Sequence, residues 1–221
     1  LRHVQVRRTI VSTAHIYGAP LAGTITEKTL PRPVHPYAIT HRVAEDFVLS
    51  AHDEQKLTGI VVRLSNAFGE PATKEINRWT LIGNDLCRQA VTTGTLTLRS
   101  SGLQRRDFIP LEDVAKAVIH LLAIPAQNCT DGIFNLGSGQ SFSVIDFAER
   151  IQSRCAAVLG FTPPIQRPQP DPAERMEPLD YRSDKLLATG YAPEDSIDGE
   201  IDRTLWFCQK TFTSTPLSTS R

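Results

Sequence analysis

A chain of 221 residues with 40% apolar and 22% charged residues can bury a core and form one or two globular units. Its 24 basic and 24 acidic residues cancel, and the basic ones are scattered with no tract and no alternation with aromatics, which argues against nucleic acid and anionic membrane as main partners. No apolar run reaches membrane-spanning length, and the basic N-terminus lacks the apolar stretch of a signal peptide.

Val4 to Ser12 (VQVRRTIVS) reads as a β-branched strand. Pro36 to Gln55 reads as a helix, with Val43, Phe47 and Ala51 on one face and Tyr37, His41, Ala44 and Val48 on another. Gly59 to Leu64 (GIVVRL) is a mostly apolar strand of the kind buried on both faces of a sheet. Trp79 to Thr92 is predicted helical with Gly94 as its stop, and Thr95 to Arg99 is a short alternating strand. Leu111 to Ala123 is an amphipathic helix ended by Pro125, and Gly132 to Leu136 is another buried strand. A Gly-Ser-Gly turn leads into a helix from Ser143 to Leu159, and Pro163 to Pro178 is proline-rich and extended. Short helices from Ser183 and from Ser196 to Gln209 precede a polar tail, 211–221, expected to be flexible.

Strands spaced by helices give an α/β fold with a parallel sheet, and sites in such sheets gather at the carboxyl ends of the strands. Two segments fall there, STAHIYG (Ser12 to Gly18) and SNAFGEP (Ser65 to Pro71). Tyr37 follows Pro36 at the start of its helix, and Tyr37, His41 and Glu45, spaced by four, share a helix face. A tyrosine acts as acid or base only when a nearby cation and a hydroxyl hydrogen bond bring its pKa toward neutrality. Thr13, or Ser12, offers the hydroxyl, and a protonated His41 offers the cation. The plainer alternative is a tyrosine that packs the helix on the sheet beside a solvated histidine.

STAHIYG, TEKTLPRPVHPYAITHRVAE, VVRLSNAFGEP, GLQRRDFIPLEDVAKAV and GIFNLGSGQSFSVIDFAERI occur in one fixed order. Together they resemble the extended short-chain dehydrogenase/reductase family, the NAD-dependent epimerases and dehydratases of nucleotide sugars, from about Thr9 to Phe207. The resemblance implies the C-terminal part of a Rossmann-like doubly wound parallel sheet, residues 1–66 and 107–150, with a smaller substrate-binding α/β lobe at 67–106 and 151–210. It gives Thr13 the place of the catalytic Ser/Thr, Tyr37 that of the acid/base, and His41 that of the lysine that holds the nicotinamide ribose of NAD or NADP. Tyr37 and His41 would then also bind cofactor. Asn66, Arg106 and, more loosely, Arg167 take substrate-binding places near the diphosphate of a nucleotide sugar, work suited to the guanidinium fork. The plain alternatives are a turn residue for Asn66 and an ion pair with Asp107 or Asp113 for Arg106. The implied assembly is a homodimer, through a four-helix contact that includes the 36–55 helix.

Two departures shape the expectation. The only methionine is Met176 and no GxxGxxG follows a strand, so the chain reads as a piece that lacks about a hundred preceding residues of dinucleotide-binding sheet, at roughly 30 residues per strand–helix–strand unit. His41 stands where a lysine is usual. The 4,6-dehydratase branch carries an acidic pair after the threonine, and here Ala14 and His15 stand instead. The reading is therefore an NAD(P)-dependent 4-epimerase or 4-ketoreductase, with His15 either a base or a bystander. The rival is a non-catalytic remnant that binds a nucleotide sugar or a partner subunit. Cys87, Cys129, Cys155 and Cys208 form no CxxC and read as reduced cytoplasmic thiols, and no metal set is expected.

Overall fold

A computed structural model describes residues 6–76, 78–194 and 197–213. In chain order it holds β1 (Arg7–Thr13), a 3-10 turn (Ala14–Tyr17), β2 (Gly23–Ile25), α1 (Pro36–Asp53), β3 (Thr58–Leu64), β4 (Asn66–Phe68), α2 (Ile82–Thr93) and β5 (Leu96–Thr97). There follow β6 (Arg105–Pro110), α3 (Leu111–Ala123), a 3-10 turn (Ala126–Cys129), β7 (Ile133–Leu136), β8 (Ser141–Ser143), α4 (Val144–Leu159), β9 (Ile165–Gln166), β10 (Leu179–Tyr181), α5 (Asp184–Leu187) and α6 (Ile197–Phe212).

The chain divides into two compact units, Leu1–Ala67 with Gln104–Phe142 and Met176–Asp195, and Phe68–Leu103 with Ser143–Arg175 and Ser196–Arg221. The sequence-based division differs in detail, since it leaves 143–150 with the first unit and 176–195 with the second. Val4 and the 214–221 part of the expected tail lie outside the described residues.

In the first unit β1, β3 and β7 form a parallel sheet in that order. The register sets Thr13 against Leu64 and Leu64 against Leu136, so the three strands end together. β3 is buried from Thr58 to Arg63 because both sheet faces are covered. One face supports a core of Ile60, Val62, Val114, Ala117, Leu121 and Phe134, the α3 residues recurring at helical spacing. α1 packs on β1 and β3, and Gly59 lets it come close. A Cβ at Gly59 would lie 2.8 Å from the Val48 carbonyl oxygen. α3 stops where Ile124 becomes extended ahead of Pro125, as the pyrrolidine ring demands. β4, β6 and β8 form a second three-stranded sheet, and β2 pairs with β10 in parallel.

In the second unit α2 and α4 both pack against α6. α4 opens on a capping box, in which Ser143 Oγ accepts from Asp146 N and Asp146 Oδ2 accepts from Ser143 N. α2 ends on Gly94 in the left-handed region, as its sequence indicates. Its start is a correction: the helix begins at Ile82, and Trp79 lies in turns before it, 7% exposed and stacked on Phe207. The proline-rich segment is also not wholly loop, because β9 pairs with β5 inside it. All four cysteines are buried and free. No helix among the described residues is long and apolar enough to cross a membrane.

Candidate active site

The common carboxyl edge of β1, β3 and β7 carries three turns. After β1, Thr13 caps the 3-10 turn, its Oγ1 accepting from His15 N at 3.2 Å. Thr13 is buried, and so is the neighbouring Ser12, whose hydroxyl has no partner among the described residues. After β3, Ser65 and Asn66 lead into β4, where Asn66 Nδ2 donates to the Asp107 carbonyl at 3.0 Å. That bond ties β4 to β6. After β7 the Gly137-Ser138-Gly139 turn closes on the Asp107 carboxylate, which accepts from Ser138 N (2.9 Å), Ser138 Oγ (3.1 Å), Gly139 N (3.0 Å) and Ser65 Oγ (2.6 Å). Burial pushes the Asp107 pKa up even against those four donors. The glycine at 137 is needed there, since a Cβ would meet Tyr181 Cδ1 at 2.7 Å and Asp107 Oδ1 at 2.8 Å.

Tyr37 sits in the first turn of α1, 59% exposed. His41 lies one turn on, its ring centroid 4.2 Å from that of Tyr37 and tilted by 48°. His41 Nδ1 lies 2.7 Å from the Tyr37 carbonyl oxygen, and because a carbonyl only accepts, Nδ1 carries the proton. Nε2 is then the nitrogen left for a ligand. The Tyr37 hydroxyl has no hydrogen bond among the described residues, and the structure shows none between Thr13 and Tyr37.

Glu45 does not share the Tyr37 environment, although it follows by two turns. Four residues advance a helix by 400°, so each step of four drifts 40° and two steps turn Glu45 into the sheet. It is fully buried and faces Arg63 of β3, itself 1% exposed. Arg63 Nη2 donates to Glu45 Oε2 at 2.8 Å, Nε to both carboxylate oxygens at 3.2 Å, and Nη1 to the Tyr17 hydroxyl at 2.9 Å. Tyr17 Oη donates to Asn135 Oδ1 at 2.7 Å, and Tyr181 Oη donates to the Arg63 carbonyl at 2.7 Å. Burial alone would lower the Arg63 pKa, but the Glu45 hydrogen bonds and the Tyr17 and Glu45 partners leave it raised. Burial raises Tyr17, against the Arg63 charge and hydrogen bond, so it stays a phenol. Sequence reasoning missed this network. Its one signal is an arginine inside an otherwise apolar strand, GIVVRL, which must find a buried partner.

Arg106 does not pair with Asp107 or Asp113. Its Nη2 donates to Gln104 Oε1 at 3.1 Å, because Asp107 points at the glycine turn and Asp113 accepts from Glu194 N. Burial lowers the Arg106 pKa. His15, on the rim of the same unit, is pushed down by partial burial, the Arg106 guanidinium and the His35 imidazole. Arg167 belongs to the second unit, where its Nη1 donates to the Ser101 carbonyl. Among the described residues no cluster of His, Cys, Asp and Glu could hold a metal.

The NAD dependent epimerase/dehydratase family model matches residues 1–137. A dTDP-L-rhamnose 4-epimerase of Burkholderia thailandensis is 28% identical over 197 residues, 87% of this chain and 52% of that protein. A dTDP-D-glucose 4,6-dehydratase of Mus musculus is 26% identical over 215 residues, covering 91% of this chain and 55% of that one. The chain thus spans about half the length of the curated relatives it matches. Among solved structures, the UDP-glucuronic acid 4-epimerase of Bacillus cereus in complex with NAD superposes with a TM-score of 0.77 at 20% identity, covering 94% of this chain and 62% of that chain.

Proposed function

The chain belongs to the NAD dependent epimerase/dehydratase family, and from that premise we propose that the whole protein epimerises or reduces a nucleotide sugar at a hydroxyl or ketone carbon. The observation that carries the proposal is the Tyr37–His41 pair, a phenol without a partner among the described residues packed on an imidazole whose Nε2 is free to meet a ligand. That geometry fits the ribose end of a nicotinamide dinucleotide, with His41 Nε2 accepting from a ribose hydroxyl and Tyr37 beside it. The pyrophosphate end has no GxxGxxG within these residues to receive it. When bound, the nicotinamide supplies a hydride acceptor and donor.

The chain's own groups do the rest. Tyr37 takes a proton from the sugar hydroxyl and returns it to the product oxygen, and Thr13 Oγ shares the hydrogen bond. Arg106, desolvated and bonded to a neutral amide, pairs with the diphosphate, and Asn66 is its substrate-side partner. Ala14 and His15, where the dehydratase branch carries two acids, favour epimerisation or ketoreduction over loss of water. Ile39, Val43 and Phe47 stand exposed at one-turn spacing on α1, a surface suited to a homodimer.

Tyr37→Phe in the whole protein tests this, with turnover of nucleotide sugars expected to fall by about a hundredfold or more and nucleotide-sugar binding to persist. Unchanged turnover would remove Tyr37 from the chemistry. Sugar-nucleotide binding by wild type with no turnover at all would favour the non-catalytic reading.

A further inference from the structure

The two halves of the proposed site come from different segments. Thr13 belongs to the turn Ala14–Tyr17 that it caps, and Tyr37 and His41 belong to α1. Neither half is bonded to the other through Thr13 or Tyr37 themselves. Both are bonded to Arg63, whose Nη1 holds the Tyr17 hydroxyl at the end of the threonine's turn and whose Nη2 and Nε hold the Glu45 carboxylate one turn beyond His41. The Tyr17 ring also lies 5.0 Å beneath the guanidinium carbon.

We propose that Arg63 is a positioning residue that sets Thr13 against Tyr37 and His41, using Tyr17 and Glu45 as its two arms. This rests on the role given to Thr13 and Tyr37 above. A guanidinium is suited to the task because its planar fork fixes two directions at once, which an ammonium does not. The partners on the far side are fixed in turn. Asn135 Nδ2 donates to the Arg182 carbonyl at 3.1 Å and Asn135 N to Glu27 Oε1 at 2.9 Å, while Tyr181 Oη, which donates to the Arg63 carbonyl, lies 3.1 Å from Asn135 Oδ1. With β3, β7 and β10 locked behind it, the fork cannot follow a displaced turn or helix. Its burial adds a reason to be kept, since a charge removed from water in a strand must be matched on every side. A pair serving stability alone would need only Glu45; the bond to Tyr17 is the additional feature.

Two measurements on the whole protein decide it. Backbone amide spectra read the geometry without turnover: Tyr17→Phe should displace signals of Tyr37 and His41, and Glu45→Gln those of Thr13 and His15. In an Arg63→Met background, or Arg63→Lys if that variant does not fold, each change should disturb the other segment far less, what remains passing through the direct packing of α1 on the Ala14–Tyr17 turn. Kinetically, Tyr17→Phe should lower kcat up to about a hundredfold, the scale of a small misplacement, with KM nearly constant. In a Thr13→Val background the same change should cost little, because what it disturbs is the alignment of the Thr13 hydroxyl with Tyr37. Cross-segment shifts undiminished without Arg63, or a Tyr17→Phe penalty equal in both backgrounds, would overturn the proposal. If wild type turns over no nucleotide sugar, the functional reading fails while the spectra still decide the positioning role.

Discussion

Glu45 and Arg63 show how little a single buried charge can be altered. Glu45→Ala leaves the guanidinium desolvated and unmatched, and should destabilise the fold by about 3–5 kcal/mol in urea denaturation. Glu45→Gln, which keeps an acceptor, should cost less; equal losses would mean that packing, not charge, sets the penalty. At His15 the same electrostatics act on a group that reaches solvent. Its lowered pKa means that the unfolded chain takes the proton first as pH falls through the ordinary histidine range, so this site subtracts stability in acid and none above it. Arg106→Gln removes the guanidinium charge and should raise the His15 midpoint in an NMR titration, though only partway, since burial is the larger cause. A midpoint that stays put would show that the Arg106 charge is screened from it. His41→Ala should cost about tenfold or more in turnover. The contact of Tyr37 with His41 was legible because residues four apart on a helix meet. The burial of Glu45 was not, because its partner lies 18 positions away and the arginine in GIVVRL signals a buried partner without saying which.

Elements with their own punctuation were readable from the chain alone. α3 and α4 were found from Pro125, Ser143 and apolar spacing, and Gly94 marked the end of α2. β2, β4, β8 and β10 were not, because a three-residue strand holds no periodicity and exists only through its partner. The capping box makes a direct claim: Ser143→Ala should cost about 1 kcal/mol, read from the urea midpoint of the whole protein. α1 is less ordinary. Phe47 is 76% exposed and Val43 50%, so the stripe that sequence grouping picked out does not face the core. The sheet instead receives Ala38, Glu45 and the Val48 turn against Gly59. An apolar face turned outward on a helix needs cover. If that cover is a second copy, Phe47→Glu should shift sedimentation velocity from dimer to monomer without lowering the melting temperature of the monomer. A sedimentation profile unchanged by the charge would place the dimer contact elsewhere.

At the scale of the whole molecule, β1 decides how these 221 residues behave by themselves. It pairs with β3 on one side, and its other edge has no strand among the described residues. Val11 is 44% exposed on it, and Thr9 Oγ1 is buried with no partner among the described residues. A β-branched edge with unpaired amides is a template for another chain. The 221-residue chain should therefore self-associate with rising concentration, and Val11→Lys should suppress that by placing a charge on the edge. The same sheet bears on NAD. The ribose-side groups Tyr37 and His41 are present, whereas a pyrophosphate needs glycine-rich backbone at a helix N-terminus, and no GxxGxxG occurs in the chain. Calorimetric titration of the 221-residue chain should accordingly show no micromolar NAD affinity. The Val11→Lys variant separates two causes of failure, because weak binding due only to aggregation would recover in it. Micromolar binding in either form would mean that the pyrophosphate is held by groups other than a glycine-rich turn, and the cofactor site would have to be sought elsewhere on the molecule.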